Sequence, residues 1–301
     1  MNYIILSSND KNHWGWCSNL GHELFFTRKI TLILLSNNKI NKDVTIVTSS
    51  NDRKFLYTNI FKNVITYSEF KKISHTSTDN IIDLCPYLLS LNAASKDFLN
   101  DIGAPDGKTI QCLKNLDLNE NMLIENKIFQ NCNTKELVNL CCKFQYINLE
   151  KTEFSKIINT NFCVIHIKPT TTYLDYLLEL IDKLSIKCII FTQKDDIDKK
   201  YLQTSDLQIY ASLLNNKNCI SFLTEWSGGG QLSQFCCKNK IIYYFDSYPQ
   251  TYFNEQEYEY RNINNSDFYN LWDHYTPINC KRIFLTKQEF ENLDNLINLI
   301  N

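Results

Sequence analysis

Short apolar runs alternate with amphipathic stretches along much of this chain. The runs Asn2–Ser7, Asp43–Thr48, Phe162–Ile167 and Ile186–Phe191 have the length of strands and are apolar through their centres, which predicts buried strands. Between the last two, Tyr173–Leu184 repeats its apolar residues at helical spacing. Strands that are apolar on both faces and alternate with helices are typical of a parallel sheet covered by helices on both sides. The pattern therefore predicts an α/β protein.

Weaker patterns complete the second half of the chain. They predict a helix over Asp195–Leu202, a short strand over Leu207–Tyr210 and a brief helix directly after that strand. The end of the chain, Thr286–Leu299, is amphipathic at helical spacing. Its first residue is a suitable N-cap, and Glu289 three positions later completes a capping-box sequence. We therefore predict a C-terminal helix that begins at this cap.

The strands and helices form two series, separated by a less regular stretch near residues 145–160. A chain of 301 residues is long enough for two domains of ordinary size. We predict two Rossmann-like domains that face a central cleft, residues 1–155 and 156–285. Residues 286–301 form the C-terminal helix, which we expect to cross back to the first domain.

Composition narrows the possible partners and the compartment. A net charge of −2 gives no electrostatic reason to expect binding to nucleic acid or to an anionic membrane surface. The twelve cysteines include no C-x-x-C pair and mostly lie in apolar runs, so we expect reduced, buried thiols and no structural zinc site. No apolar stretch approaches the roughly 20 residues that span a bilayer. We expect a cytoplasmic protein without a transmembrane segment.

The strongest candidate for a ligand site is the sequence FLTEWSGGGQLSQF. This sequence begins inside an apolar strand that starts at Cys219. It passes through the three glycines and continues into a predicted helix from Gln231 to Cys237. A glycine-rich turn before a helix presents free backbone N–H groups and the positive end of the helix dipole to an anion. This predicts a phosphate or diphosphate site, with Glu225 accepting hydrogen bonds from a sugar hydroxyl. The predicted donor-binding residues here are Glu225, Ser227, Gly228, Gly229, Gly230 and Gln231.

Geometry alone is the alternative explanation for these glycines, since a tight strand-to-helix turn also needs them. The sequence is neither G-x-G-x-x-G nor G-x-x-x-x-G-K-[ST], so it indicates neither a dinucleotide fingerprint nor a P-loop.

Three other residues at strand ends extend this candidate site. His166 and Lys168 lie on either side of Ile167, the last residue of the predicted strand Phe162–Ile167. Thr192 directly follows the predicted strand Ile186–Phe191. In a parallel sheet the carboxyl ends of the strands line the ligand crevice. We therefore expect His166 to donate a hydrogen bond to a phosphate and Lys168 to neutralise part of its charge. The alternative is a core histidine with a surface lysine.

The loop after the first strand is the other cluster of glycine and histidine. We predict that this loop binds the acceptor and that a helix follows it from near Asn19. The predicted acceptor-loop residues are His13, Trp14, Trp16, Asn19 and Gly21. His22 or Glu23 is the predicted general base for an acceptor hydroxyl, and hence the predicted catalytic residue. The alternative is a helix start whose aromatic residues simply pack. The acidic run Asp195–Asp198 is better explained as a helix start than as a metal site.

With these residues identified, the chain resembles glycosyltransferases of the two-Rossmann (GT-B) type, in a fucosyltransferase-like layout. The similar segments are NLGHELFF, VIHIKP, KCIIFTQKDD and SFLTEWSGGGQLSQF. Lys168-Pro169 stands where the fucosyltransferase pattern has two arginines, so the resemblance does not specify guanosine-diphosphate-fucose as donor.

The resemblance implies an inverting, metal-independent transfer of a hexosyl or deoxyhexosyl group in glycan biosynthesis. The donor would be a nucleotide-diphosphate sugar bound by the second domain, and the acceptor a glycan or other hydroxyl compound bound by the first. No cofactor is implied beyond the nucleotide sugar as co-substrate.

Two other functions are compatible with the same residues. One is a non-catalytic nucleotide- or glycan-binding protein that has kept the fold, since no single residue stands out as the base. The other is transfer of a different group, acyl or phosphoryl, from a nucleotide-linked donor.

Overall fold

In the computed structural model the described residues are 3–6, 20–73, 80–84, 134–225, 227–244 and 280–301. The chain divides into two compact units, Met1–Gln145 and Tyr146–Asn301. Each unit contains a sheet of parallel strands, so the predicted α/β class and parallel-sheet character are confirmed. The more specific prediction, two Rossmann-like domains facing a cleft, stays a prediction.

The first unit has a four-stranded parallel sheet in the order β3-β2-β1-β4. Its strands are β1 (Tyr3–Leu6), β2 (Thr45–Thr48), β3 (Asn63–Thr66) and β4 (Asn80–Asp83). Ile5, Ile46 and Ile82 from three adjacent strands are fully buried. These apolar positions explain why the sequence pattern placed β1 and β2 within one or two residues of their observed ends.

The helices of the first unit include an irregular one after β1. It consists of α1 (Leu20–His22), a π-helical turn (Glu23–Thr27) and α2 (Arg28–Ser36). Other helical segments among the described residues of this unit are a 3-10 helix (Asn51–Leu56), α3 (Tyr67–Phe70) and α4 (Thr134–Cys141). Single π turns inside α-helices occur often at functional sites. Here the turn begins at Glu23, one of the two predicted catalytic residues.

A buried arginine joins these helices. Arg28, at the start of α2, is almost fully enclosed, and its guanidinium lies over the Phe144 ring at 4.5 Å. Its Nε donates to the Leu56 carbonyl at 2.9 Å, and Nη1 donates to the Cys141 carbonyl at 2.8 Å. Nη2 donates to two further carbonyls at 3.3 Å, those of Leu140 and Lys143. One cation therefore satisfies backbone carbonyls at the ends of two helical segments, which need such partners.

The second unit has a six-stranded parallel sheet in the order β10-β9-β8-β5-β6-β7. Its strands are β5 (Phe162–Ile167), β6 (Lys187–Thr192), β7 (Gln203–Thr204), β8 (Cys219–Glu225), β9 (Lys240–Tyr244) and β10 (Lys281–Phe284). The chain runs outward from β5 to β7 and then returns, so that β8 lies on the other side of β5. The strand order therefore reverses between β5 and β8, and the carboxyl ends of the strands at such a reversal are the usual ligand position in parallel sheets.

The helices of the second unit correct two predictions. Among the described residues they include two 3-10 turns (Leu149–Lys151 and Glu153–Lys156), α5 (Leu174–Lys183), α6 (Leu207–Leu214), α7 (Gly228–Cys236), α8 (Lys287–Glu291) and α9 (Leu293–Ile300). Leu207–Tyr210 was predicted as a strand but begins α6, because the Asp206 carboxylate caps the N–H groups of Gln208 and Ile209.

The helix predicted over Asp195–Leu202 is absent from the structure, where this segment is irregular. Side chains compete there with helical hydrogen bonding. Thr192 Oγ1 accepts from the Lys194 N–H at 3.0 Å, and Asp198 Oδ1 accepts from the Lys200 N–H at 2.9 Å. Such local bonds stabilise turns instead of a helix.

The end of the chain forms two helices, α8 and α9, instead of the single predicted helix. The predicted capping box is confirmed, with Thr286 and Glu289 each capping the other's N–H. Asn292 breaks the helix and caps the second one, accepting from the Asn295 N–H at 3.1 Å. Leu296 and Ile300 belong to the core of the second unit, and the Ser221 hydroxyl of β8 donates to the Ile300 carbonyl at 2.8 Å. The C-terminal helix is thus anchored on the second sheet.

Within the described ranges, no helix combines the length and the apolar character needed to cross a membrane. The cysteines that the structure describes, at positions 141, 142, 163, 188, 219, 236, 237 and 280, are free thiols.

Candidate functional site

The predicted donor-binding residues of the second unit meet at the crevice between β5 and β8. His166 is the next-to-last residue of strand β5, and Glu225 is the last residue of β8. Ser227 follows after one residue and caps α7. The backbone thus brings residues separated by about sixty positions to one edge of the sheet, as parallel strands require.

The three glycines form the first turn of α7, and the predicted helix start at Gln231 was three residues too late. Ser227 is the N-cap, because its hydroxyl oxygen accepts from the Gly230 N–H at 3.2 Å. Its carbonyl accepts from the Gln231 N–H at 2.8 Å. The N–H groups of Gly228 and Gly229 have no partner among the residues that the structure describes. Two free N–H donors at a helix N-terminus suit an anionic ligand.

Two of these glycines are required by close packing. A Cβ atom on Gly230 would lie 2.6 Å from the Glu225 carbonyl oxygen and 2.9 Å from Thr224 Oγ1. A Cβ on Gly229 would lie 2.8 Å from Cε1 of the His166 ring. Gly230 thus permits α7 to start directly against the end of β8, which is the geometrical explanation of the motif. Gly229 lies against the Cε1 edge of the buried imidazole, where a side chain would collide with the ring.

His166 is enclosed, with 7% of its surface exposed. Its Nδ1 lies 3.1 Å from Thr224 Oγ1 and 3.4 Å from Ser227 Oγ. The ring packs near that of Phe191, with 5.1 Å between centroids. Burial, and to a smaller extent the Lys168 ammonium, lowers the pKa of His166 to about 3. The imidazole is therefore neutral at physiological pH.

This lowered pKa predicts a loss of stability in acid. The ordinary pKa of 6.5 applies to the unfolded chain, and the folded value is about 3, so the unfolded state binds the proton first as the pH falls. His166 then contributes stability above pH 6.5 and loses it toward pH 3, by up to about 1.4 kcal/mol per pH unit. We expect urea unfolding between about pH 7 and about pH 5 to show this slope, and His166→Asn to reduce it. An unchanged slope in the variant would show that the histidine is not buried as a neutral ring.

A second pair at the same edge is charged. Lys168 Nζ lies 2.7 Å from Glu225 Oε1, and 21% of the lysine side chain but only 2% of the glutamate side chain is exposed. The ion pair neutralises much of the lysine's field at short range. A phosphate here would therefore depend on the amides of Gly228 and Gly229 more than on Lys168.

Thr192 and Gln231 have smaller roles in the observed geometry. Thr192 ends β6, is buried, and its hydroxyl oxygen is used by the turn to Lys194. Gln231 lies in the first turns of α7 and is half-buried. Both stay predicted donor-binding residues.

Tyr210 supports the site and was missed in the sequence. Its hydroxyl donates to the Gly229 carbonyl at 2.8 Å, and its ring stacks on Phe191 at 3.9 Å between centroids. On the other side, the hydroxyl of Tyr243 in β9 donates to the Gly230 carbonyl at 3.3 Å. These bonds fix the orientation of the peptide groups in the first turn of α7. Asp206, as an N-cap before an apolar run, was the available signal that Tyr210 lies on a helix.

In the first unit, the predicted catalytic residue Glu23 is buried, and its carboxylate is already hydrogen-bonded and ion-paired. The Thr48 hydroxyl donates to its carboxylate, and Arg53 Nη1 lies 3.2 Å from Oε2. Burial raises the pKa of Glu23, and the Arg53 charge and the hydrogen bonds oppose this rise. Only 1% of the residue is exposed, so Glu23 has no solvent-facing carboxylate to act as a base in this arrangement.

The other predicted residues of the first unit are less well placed. Gly21 is buried in α1, and the backbone of His22 ends that helix. His13, Trp14, Trp16 and Asn19 lie outside the described residues. Within the described ranges, no three His, Cys, Asp or Glu side chains are grouped so that they could hold a metal ion.

A cleft of about 570 Å³ lies at the opposite, amino-terminal edge of the second sheet. Its polar groups are largely used locally. Ser212 accepts from the Ile147 N–H and donates to the Gln208 carbonyl, and the Asn218 amide donates to the Ile158 carbonyl. The free donors at the start of α7 make the carboxyl edge the better candidate site.

Comparison of the chain with protein-family models, with curated proteins and with solved structures gave no match in any of the three.

Proposed function

We propose that the second unit binds a nucleotide-diphosphate sugar at the start of α7 and that the protein transfers the sugar to a hydroxyl acceptor. The observation that carries this proposal is the pair of free N–H groups on Gly228 and Gly229 at the strand-order reversal, where Gly229 packs against the ring edge of the enclosed His166. Helix N-termini in this position of a parallel sheet are common phosphate sites.

In this proposal the site stabilises the leaving diphosphate. The two amides and the helix dipole face the developing negative charge, and fixed donors of this kind provide much of the rate enhancement in many enzymes. The Ser227 hydroxyl, which accepts from the Gly230 N–H at 3.2 Å and lies 3.4 Å from His166 Nδ1, adds a third donor when its hydrogen turns to the ligand. Glu225 holds Lys168 at the rim, where the ammonium contributes a partly screened positive charge.

The acceptor hydroxyl needs a base, and the first unit supplies the predicted candidates. Burial and the ion pair with Arg53 disfavour Glu23, so His22 is the preferred of the two predicted residues. Inversion at the anomeric carbon and independence of metal ions are expectations from the glycosyltransferase resemblance.

Substitution of Lys168 tests the charge at the rim. We expect Lys168→Ala to lower the rate of sugar transfer about tenfold, because the rim cation is lost, and to lower stability, because the buried carboxylate of Glu225 loses its ion pair with Lys168. Sugar release from nucleotide sugars and thermal unfolding measure the two effects.

A matched control separates rate from folding. The double variant Lys168→Met with Glu225→Gln removes both charges and should recover most of the stability while the transfer rate stays low. Full transfer activity in the double variant would show that the pair has no part in the reaction.

A non-catalytic binding protein is the second candidate function. The buried, ion-paired carboxylate of Glu23 and the partial neutralisation of Lys168 by Glu225 favour it, since both weaken the groups that a transfer reaction would use. Tight binding of a nucleotide sugar without any release of sugar, in the presence of a range of glycan acceptors, would support this function over transfer.

A further inference from the structure

The hydrogen bonds around Thr224 determine which nitrogen of His166 carries its proton. The Thr224 hydroxyl oxygen lies 2.8 Å from the Glu225 carbonyl, a contact that is favourable only when the hydroxyl donates. A hydroxyl has one hydrogen, so Thr224 has none left for His166. At the shorter contact, 3.1 Å between His166 Nδ1 and Thr224 Oγ1, the histidine is therefore the donor. The Ser227 hydroxyl oxygen lies 3.4 Å from the same Nδ1 and is compatible with this assignment, because it can accept from the same N–H.

The opposite nitrogen is then an acceptor. A neutral imidazole that carries its hydrogen on Nδ1 has a lone pair on Nε2. Nε2 has no hydrogen-bond partner in the part of the chain that the structure describes, although the residue is more than nine-tenths buried. Nε2 itself is not fully enclosed by protein atoms, so a ligand can reach it and donate to its lone pair.

The neighbouring groups have the opposite character. Gly228 and Gly229 offer N–H donors, and Ser227 offers its hydroxyl hydrogen, because a protonated His166 Nδ1 cannot accept it. The edge of the imidazole ring faces Gly229, since a Cβ there would be 3.3 Å from Nε2. The site therefore combines donors for an anion with one acceptor beside them.

We infer that His166 Nε2 accepts a hydrogen bond from a hydroxyl of the ligand, adjacent to the phosphate held by the Gly228 and Gly229 amides. This inference rests on the proposed function for the phosphate and adds a selectivity. The site distinguishes a phosphate that carries a neighbouring hydroxyl, as in a sugar or nucleoside diphosphate, from a bare inorganic anion. It also reverses the role predicted for His166 from the sequence, which was donation to the phosphate.

Nitrogen NMR tests the tautomer on the ligand-free wild-type chain. With ¹⁵N-labelled histidine, the His166 signals, assigned by their loss in His166→Asn, should show a protonated Nδ1 and an unprotonated Nε2. The opposite tautomer would overturn the inference, whatever the protein binds.

Two variants test the acceptor itself. An Asn amide at position 166 can replace Nδ1–H toward Thr224 but has nothing at the Nε2 position, whereas a Gln side chain reaches that position with an oxygen. We expect His166→Asn to weaken binding of guanosine- and uridine-diphosphate hexoses about tenfold and to leave inorganic pyrophosphate binding unchanged. His166→Gln should recover part of the loss.

The two arms separate the inference from the proposed function. Equal weakening of pyrophosphate and of the nucleotide sugars in His166→Asn would overturn the acceptor role while the phosphate site stands. Absence of pyrophosphate and nucleotide-sugar binding in the wild type would overturn the proposed function, and the tautomer measurement would still decide the state of His166.

Discussion

Replacement of Arg28 by alanine is expected to unfold much of the first unit at moderate temperature. The guanidinium is buried, donates to four backbone carbonyls and lies over the Phe144 ring. Its removal leaves those carbonyls without their donor and opens a cavity in the core. Loss of such a hydrogen-bonded buried charge costs about 3–5 kcal/mol, a large fraction of the stability of a typical domain.

Two variants separate the contributions at this position. Arg28→Met keeps most of the volume and should show what the hydrogen bonds alone contribute, while Arg28→Lys keeps the charge but offers a single nitrogen in place of the planar fork. We expect urea denaturation to show the highest stability for the wild type, a lower stability for Arg28→Lys and Arg28→Met, and the lowest for Arg28→Ala. Wild-type stability in Arg28→Ala would show that the buried network is not formed in solution.

Replacement of Gly229 by alanine is expected to remove diphosphate binding while sparing the fold. The added methyl group would lie 2.8 Å from Cε1 of His166, so either the ring or the first turn of α7 must move. Movement of that turn displaces the two free amides, and loss of two charge-assisted hydrogen bonds weakens binding by about 100-fold or more. Alanine favours a helix over glycine by about 1 kcal/mol, which offsets part of the steric cost to stability.

A double-mutant cycle identifies the cause. If the clash with the ring is responsible, Gly229→Ala combined with His166→Ala should bind pyrophosphate more tightly than Gly229→Ala alone. Titration calorimetry measures all four proteins. Wild-type affinity of Gly229→Ala for pyrophosphate would show that the amides of this turn do not bind the diphosphate.

The sequence predicted the sheets well because their strands are buried on both faces. Runs such as Phe162–Ile167 contain no polar interruption except His166, and a continuous apolar run bounded by polar residues has few alternatives. The same property misled the prediction at Leu207–Tyr210. A short apolar run does not distinguish a strand from a buried helix, and the Asp206 cap decided the outcome.

The candidate site was predictable in position but not in its internal pairing. The glycines and the strand end at His166 identified the edge of the sheet. The ion pair of Lys168 with Glu225 spans 57 positions and depends on the register of β5 against β8. The role of Tyr210 depends likewise on how α6 packs beside α7. Such pairs arise from tertiary packing, which no local pattern specifies.

Thermal unfolding in the presence of each of a panel of nucleotide diphosphates and nucleotide sugars tests whether the start of α7 binds a diphosphate. A ligand present at about 100 times its dissociation constant adds roughly 2.7 kcal/mol to the folded state, which is readily seen as a shift of the midpoint. We predict a shift with at least one nucleoside diphosphate, retained in EDTA and abolished by Gly229→Ala. No shift with any member of the panel, or an equal shift in the variant, would contradict the account.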